Sequence, residues 1–392
     1  MKRGVLIGAR ARRACALAAA LLAILCCAGV GRAAGYGVFA DPQPVTIEGY
    51  PASAEEPFIT PNGAYLLFNS SEATPTFGLE LAKRVDAQTF EYQGEIQGEN
   101  VNEPEFLSGT PSLDDEGDLY FISNRSYAQT LSTVYAGDFS DGTVTGVHLV
   151  PGVSGEAPGN VDFDVDASPD GSTLYVSVGQ FGVDGGPTSS SIVSYERAGA
   201  GFVRDPKSAK ILRAVNQVGT LDYAADPSSD GLELFFTAAT PALGRAPEIY
   251  RATRAKTSKP FGGVEPITAI TGFAEAPSIS QDGTTLYYHQ LIGSEFKIET
   301  VTRSAGAPTV TQVSPNRATA GAETPVTITG TGLAGATSVE FGDASAASFT
   351  QSSSTSIAAI APAGAKGTVN VTVTTPNGTS ATSKHDRFKY VR

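Results

Sequence analysis

The residues with the clearest capacity for chemistry are carboxylates that recur just before or within short apolar segments. They are Glu55, Glu56, Asp164, Asp166, Asp222, Asp226 and Glu275. Several carboxylates facing one channel can bind a hard cation such as Ca²⁺. Two carboxylates at a suitable separation can instead cleave glycosides. A third interpretation is that they cap turns and face solvent in the channel.

Other catalytic groups are sparse. The three histidines, His148, His289 and His385, are far apart and lack the HxH or HExxH spacing of a zinc site. We expect His289, beside two tyrosines, to be packed or to lie at a rim. No G-x-S-x-G segment is present, which argues against a serine hydrolase of the α/β type. The sequence therefore names no catalytic residue, and it indicates no cofactor other than the calcium alternative.

The carboxylates belong to a repeat that occurs five times. Each copy has a turn ending in glycine, followed by alternating apolar residues. The turn glycines are Gly63, Gly117, Gly171, Gly231 and Gly283, at nearly regular intervals. Asn-Gly and Asp-Gly at four of these turns favour hairpins, and the alternation that follows predicts a strand. Regular repeats of this length are typical of propellers, in which the first strand of each sheet lines a central channel.

The two ends of the repeat region predict how the ring closes. Residues 260–273 supply a fourth strand to the fourth repeat, and residues 38–50 are similar but precede the first repeat. The fifth repeat runs into the next domain without such a strand. We therefore expect an all-β chain with a five-bladed β-propeller over residues 36–304, its N-terminal strand completing the last blade. The alternatives are an open array and a pair of β-sandwiches.

Two stretches resemble known families. Ser168-Pro169-Asp170-Gly171 matches the turn of TolB-type, WD40-like (PD40) propeller repeats, and residues 277–283 nearly do. Residues 308–390 resemble an IPT/TIG domain through Val313-Ser314-Pro315, Gly330-Thr331-Gly332 and Phe388-Lys389-Tyr390. The second resemblance implies an immunoglobulin-like β-sandwich over residues 305–392 that acts as a spacer or adhesion module.

The N-terminus predicts export. Basic residues, then an apolar run from Ala14 to Val30 and small residues near Ala33, are typical of a signal peptide over residues 1–33. A retained anchor and a lipoprotein, modified at Cys26 or Cys27, are alternatives. All three cysteines lie in this segment, so cleavage would leave a chain with no disulfide or thiolate site.

Charge excludes one class of partner. The whole chain has a net charge of −13, and residues 1–32 contribute six basic residues and no acid, so the remainder carries −19. Such a surface repels nucleic acid. We expect a secreted or extracytoplasmic, non-enzymatic binding or scaffold protein. As the TolB resemblance implies, its funnel face would contact a protein or peptide of the cell envelope. The alternative is a propeller that binds or hydrolyses glycans through the inner-strand carboxylates.

Overall fold

The computed structural model describes residues 36–70, 77–182, 186–353 and 355–392. The predicted signal peptide and its cysteines lie outside these ranges. None of the helices in the described part of the chain is long and apolar enough to cross a membrane.

Five sheets, antiparallel except for one strand pair, occupy residues 40–302. The chain begins with β1 (Ala40–Pro44), which belongs to sheet 5. Sheet 1 contains β2 (Thr46–Glu48), β3 (Ala54–Ile59), β4 (Tyr65–Ser70), β5 (Leu79–Arg84) and β6 (Thr89–Glu95). Sheet 2 contains β7 (Ser108–Leu113), β8 (Asp118–Ser123), β9 (Val134–Ser140) and β10 (Thr143–Leu149). Sheet 3 contains β11 (Asn160–Ala167), β12 (Thr173–Phe181), β13 (Pro187–Ala198) and β14 (Gly201–Arg204).

The remaining two sheets of this region follow the same order. Sheet 4 contains β15 (Leu221–Pro227), β16 (Glu233–Thr240), β17 (Arg245–Thr253) and β18 (Gly262–Pro266). Sheet 5 contains β19 (Ala274–Ile279), β20 (Thr285–Ile292), β21 (Glu295–Thr302) and β1. Short helices lie in the connections: α1 (Tyr127–Thr130), α2 (Ser208–Ile211) and three single 3₁₀ turns (Asn124–Ser126, Val215–Gln217 and Pro241–Leu243).

In four of the five sheets, the turn between the first two long strands follows from its Asx-Gly sequence. Gly171 has a φ of 62°, in the left-handed region that glycine adopts without steric cost. The preceding Asp170 accepts a hydrogen bond from the backbone N–H of Ser172 through Oδ1, at 3.0 Å. Asn62, Asp230 and Asp282 make the same contact two residues on. The side chain thus stabilises the turn that sets the strand register.

The five sheets form a closed ring. Each inner strand (β3, β7, β11, β15 and β19) contacts the next, and β19 contacts β3. A separate apolar cluster fills each gap between neighbouring sheets; between sheets 5 and 1 it includes Leu66, Phe68, Phe90, Tyr287 and Ile298. Alternating strand residues therefore bury both faces of the sheets, which is the packing of a propeller.

The N-terminal strand completes sheet 5, as predicted. β1 pairs antiparallel with β21, with Gln43 opposite Thr300. The chain then makes a contact that the repeat pattern did not predict. β2 pairs in parallel with β6, the outer strand of sheet 1, with Ile47 opposite Phe90. One short segment thus adds a strand to both the last sheet and the first.

The C-terminal domain is a sandwich of two sheet layers. Its strands are β22 (Thr309–Ser314), β23 (Arg317–Thr319), β24 (Thr324–Thr331), β25 (Ser338–Phe341), β26 (Ala344–Ser345), β27 (Ser348–Ser353), β28 (Ser356–Ala361), β29 (Gly367–Thr375), β30 (Gly378–Thr379) and β31 (Arg387–Val391). One layer has the order β22-β24-β28-β27, and the other β23-β31-β29-β25-β26, with β30 paired to β29. Ile328, Ile357, Val371 and Phe388 are fully buried between the layers.

Candidate functional site

The centre of the ring is a small acidic channel. One residue from each inner strand, seven positions before the turn glycine, lines it: Glu56, Thr110, Asp164, Ala224 and Ala276. They enclose a cavity of about 20 Å³ together with Pro57, Pro111, Val165, Asp166 and Pro277. A cavity of this size holds about one water molecule. Three of the seven predicted carboxylates, Glu56, Asp164 and Asp166, therefore meet at one place.

A β-bulge places these residues on the channel wall. At Glu56 the strand carries one extra residue relative to its neighbour, and the backbone has a φ of 49°. Thr110, Ala224 and Ala276 have φ values of 51°, 50° and 52° at the same place. The extra residue of a bulge is left unpaired in its own sheet, so its N–H group is available to a neighbouring sheet. The same backbone geometry in four repeats indicates a common role.

That role is a hydrogen bond between neighbouring sheets. Each of the four N–H groups donates to a side chain on the second long strand of the preceding sheet. The pairs are Thr110 to Asn69, Ala224 to Ser177, Ala276 to Thr237 and Glu56 to His289, all at 3.0 Å. The junction between sheets 2 and 3 differs. The equivalent residue of sheet 2 is Ile122, which pairs with Gly109 and whose side chain has no acceptor. Asp164, at the corresponding inner-strand position of sheet 3, does not have the positive φ of the other four residues.

His289 is therefore part of the ring and is 1% exposed. Its Nδ1 accepts from the Glu56 N–H, so Nε2 carries the proton and faces Oε2 of Glu275 at 3.1 Å. The imidazole of His289 also packs edge-on against the Phe296 ring, with centroids 5.1 Å apart. The expectation of a packed histidine agrees with this placement. The sequence did not indicate that this side chain joins the last sheet to the first.

Glu275 extends this contact to sheet 4. The Tyr223 hydroxyl donates a short hydrogen bond to Oε1 of Glu275. Burial, and then the carboxylate beside it, raises the pKa of Tyr223 well above its usual value. Tyr223 also packs against Phe163, with ring centroids 5.8 Å apart. The Tyr223–Glu275–His289 chain of contacts thus orders the channel wall across sheets 4 and 5.

Burial in the channel raises the pKa of its carboxyl groups. Burial raises the pKa of Asp164 to about 7, and a contact with Ser177 Oγ at 3.5 Å lowers it in part. Burial also raises the pKa of Glu56 well above its usual range, and the carboxylates of Asp164 and Glu275 raise it further. Like charges in one enclosed space disfavour full ionisation.

Asp166 lies two residues after Asp164, and Asp226 lies two residues after Ala224. These two acids make different contacts. Asp226 Oδ2 accepts a hydrogen bond from the Ile279 N–H at 2.5 Å, which joins sheet 4 to sheet 5. The residue equivalent to Ile279 in sheet 4 is Pro227, which has no N–H, so Asp166 has no such backbone donor. Burial raises the pKa of Asp226 to about 8, and burial together with Asp164 raises that of Asp166 well above its usual range.

The other two predicted carboxylates lie differently. Glu55 is next to Glu56 on β3 and pairs with Asn69, one position before the cavity wall. Asp222 is 1% exposed and does not line the cavity; its Oδ1 accepts from the Gly219 N–H at 2.9 Å. Burial raises the pKa of Asp222 to about 7. Asp222 stabilises the connection that leads into β15. It lies two residues before Ala224, the residue of this strand that lines the channel, and is therefore outside the cavity.

The channel acids have few countercharges. Among the salt bridges of the described residues, none joins Glu56, Asp164, Asp166, Asp226 or Glu275 to a lysine or arginine; the one ionisable partner is His289. The described residues also contain no group of three or more His, Cys, Asp or Glu side chains arranged to hold a metal ion. The calcium alternative therefore gains no support from this geometry.

The sequence interpretation did not single out two residues of this region: Thr110, which lines the cavity, and Tyr223, which contacts Glu275. A usable signal was their distance from the turn glycine. Thr110 lies seven residues before Gly117, as Glu56 does before Gly63. Sorting every repeat by this offset would have placed Thr110 beside Glu56 and moved Asp222 away from the channel.

Comparison with known proteins identifies one part of the chain. Residues 308–390 match the IPT/TIG domain family. No curated protein matches the sequence. Among solved structures, TolB from Acinetobacter baumannii is 17% identical, with a TM-score of 0.38, over 64% of this chain and 55% of TolB.

Two carbohydrate-active proteins are also similar. The exo-β-1,3-galactanase from Phanerochaete chrysosporium is 10% identical over 91% of this chain and 94% of that chain, with a TM-score of 0.44. The endo-arabinase from Bacteroides thetaiotaomicron is 13% identical over 67% and 97%, with a TM-score of 0.42. Similarities this distant carry no argument about activity. The chain thus joins a propeller-type ring of sheets to a C-terminal domain of the IPT/TIG family.

Proposed function

We propose that the protein is an exported, non-enzymatic binding protein whose channel accepts a lysine ammonium group from a protein or peptide partner. The observation that carries the proposal is the set of channel carboxyls without a lysine or arginine partner in the described structure. A cationic group placed beside them would favour their charged form and release protons. The IPT/TIG domain would act as a spacer.

Cavity size favours ammonium over larger cations. About 20 Å³ accommodates one water-sized group. An ammonium group is of this size and offers three donors, whereas a planar guanidinium is larger. Glu56 and Asp164 on opposite strands, with Thr110 Oγ1 buried and without a partner, supply acceptors for those donors.

The glycan alternative uses the same carboxylates differently. Glu56, Asp164 and Glu275 lie close enough for their charges to interact, as an acid–base pair requires. A sugar ring does not fit a cavity of about 20 Å³, so it would have to bind outside this cavity. This alternative predicts saccharide hydrolysis or binding that disappears with the carboxylates.

The test uses an immobilised copy of the protein and two peptides of equal length, one with a central lysine and one with a central arginine. We expect the lysine peptide to bind more tightly, and the double variant Glu56→Gln, Asp164→Asn to lose that preference. The variant Asp141→Asn, in an exposed hairpin, is the matched control. Equal binding by wild type and double variant, or saccharide cleavage abolished in the double variant, would overturn the proposal.

A further inference from the structure

A repeated arginine joins each of four sheets to its own turn. In each case Nε donates to the carbonyl oxygen of the turn glycine at 2.5 to 2.7 Å, and the guanidinium lies over an aromatic ring in or next to the outer strand. The residues are Arg84 over Phe90, Arg197 over Phe202, Arg254 over Phe261 and Arg303 over Phe39. In two of them a second nitrogen reaches the preceding sheet: Arg84 Nη2 donates to the Tyr287 hydroxyl at 2.7 Å, and Arg197 Nη2 donates to the Tyr120 hydroxyl at 2.6 Å.

In two of these places the preceding sheet supplies carboxylates. Arg197 lies 3.3 Å from Asp118 and 3.5 Å from Asp114. Arg303 lies 2.5 Å from Glu233. Asp118 and Glu233 begin equivalent strands, β8 and β16, so the same position supplies the anion in both sheets.

Arg254 faces a different set of residues. The positions equivalent to Asp118 and Asp114 are Thr173 and Ser168 in sheet 3. Arg254 contacts the Tyr175 hydroxyl, and it forms no salt bridge with a carboxylate among the described residues. A guanidinium without an anion retains strong bidentate donors.

The space that those carboxylates would fill is an open cleft. It has a volume of about 580 Å³ and is lined mainly by sheets 3 and 4 and their connections, with Asp115 from the turn of sheet 2, Gln281 from the turn of sheet 5 and Thr355 from the C-terminal domain. Its lining includes Ser168, Thr173, Tyr175, Ser194, Asp205 and Arg254. This volume is within the range of small-molecule sites, and it is far larger than the central channel.

Within the part of the chain that the structure describes, one hydroxyl on the cleft wall has no hydrogen-bond partner. Ser194 is 4% exposed, and its Oγ is buried without a hydrogen bond. Its backbone N–H donates to Ser208 Oγ at 2.8 Å, so the residue is held in place. An unsatisfied buried hydroxyl destabilises the protein, and a hydrogen bond to a ligand or water in the cleft would offset that loss.

The charge of the lining decides which class of ligand fits. The cleft has five carboxylates and two cationic side chains, Lys207 and Arg254. A simple anion would be attracted by Arg254 and repelled by the surplus of acids. A ligand with one carboxylate and at least one ammonium group satisfies both features.

We propose that the cleft between sheets 3 and 4 binds a small zwitterion of the amino-acid type, with its carboxylate on Arg254 and its ammonium group towards Asp205. This site is separate from the channel, and it uses the position that Asp118 and Glu233 occupy in other sheets. The ligand's carboxylate takes the place of the protein carboxylate that Thr173 does not supply.

The experiment is isothermal titration calorimetry of the full chain with L-lysine and with cadaverine, which is lysine without its carboxylate. We expect L-lysine to bind in the millimolar range or more tightly, and cadaverine to bind at least 10-fold more weakly. Absence of saturable L-lysine binding, or equal affinity for cadaverine in the chain that also carries Glu56→Gln and Asp164→Asn, would overturn the proposal.

A substitution suggested by the repeat provides the specific control. Thr173→Glu introduces the acid found at Glu233 and should pair with Arg254, weakening L-lysine binding at least 10-fold while the fold is retained. Thr285→Glu makes the same change at the equivalent position of sheet 5 and should leave binding unchanged. Retained binding in Thr173→Glu would contradict the proposal.

The Glu56→Gln, Asp164→Asn variant should bind L-lysine normally, which separates this site from the channel.

Discussion

The imidazole Nδ1 of His289 accepts a hydrogen bond from the backbone N–H of Glu56 at 3.0 Å, and this contact spans the junction where sheet 5 meets sheet 1. Three other junctions have the same bond with Asn69, Ser177 or Thr237 as acceptor. His289, on the second strand of sheet 5, is thus a variant of a repeated structural contact. Its proximity to Glu275 follows from the same geometry.

Replacement of His289 should weaken ring closure. His289→Ala leaves the Glu56 N–H without an acceptor and creates a cavity, so we expect the free energy of unfolding to fall by about 2 to 4 kcal/mol. His289→Asn should lose less, because Asn69 performs this function in sheet 1. Urea denaturation provides the measurement. His148→Ala, at an exposed site, is the control. Equal losses for Ala and Asn would show that the acceptor is unimportant.

The buried acids should make the protein less stable as pH rises. The pKa values of Asp164 and Asp226 rise to about 7 and about 8 in the folded protein. Between the ordinary pKa near 4 and these values, the folded state therefore binds more protons than the unfolded state. Stability then falls with increasing pH through this window. We expect a higher Tm at pH 5 than at pH 8.

Removal of one of these acids tests whether its ionisation causes the loss of stability at high pH. Asp226→Asn keeps an acceptor for the Ile279 N–H and cannot ionise, so it should raise the free energy of unfolding at pH 8 by about 1 kcal/mol or more and change it less at pH 5. Asp141→Asn is the exposed control. A gain of equal size at both pH values would rule out titration of Asp226 as the cause.

The repeated arginine should contribute more than a surface ion pair. Arg197 donates to the Gly171 carbonyl at 2.7 Å and to the Tyr120 hydroxyl at 2.6 Å. Arg197→Met should cost about 2 kcal/mol, and Arg197→Lys should restore little because an ammonium cannot make this fork of contacts. Arg204→Met removes an exposed pair with Glu156 and should cost less than about 1 kcal/mol. Thermal denaturation of the three variants distinguishes them, and equal losses would contradict this assignment.

The segment that closes the ring should contribute substantially to the free energy of unfolding. Phe39, just before β1, is 6% exposed and packs edge-on against Phe235 at 5.8 Å. Phe39→Ala should therefore destabilise the ring by about 3 to 5 kcal/mol. Val38→Ala, beside it at 76% exposure, should change stability by less than about 0.5 kcal/mol. Hydrogen exchange should show faster exchange of β21 amides in Phe39→Ala. Unchanged protection there would contradict a closing role for this segment.

Most of the architecture is readable from the sequence because local rules specify it. Asp170-Gly171 and its equivalents determine a tight turn, and alternation after each turn determines which side chains face the neighbouring sheet. The similarity of residues 38–50 to the fourth strand at 260–273 was sufficient to predict that β1 completes sheet 5. The parallel pairing of β2 with β6 could not be predicted, since both edges become available to this segment only after the ring has closed.

The candidate sites depended on the tertiary structure. A count of acids near the inner strands grouped Asp222 with Asp164, although a difference of two residues in repeat position puts Asp222 outside the cavity and Asp164 on its wall. The distinction between Arg254 and Arg303 likewise depends on which residue the neighbouring sheet presents. Local sequence determines the turns and strands of each repeat. The ring alone decides which side chains from different repeats meet, because those contacts join residues about 40 or more positions apart and exist only when neighbouring sheets pack together.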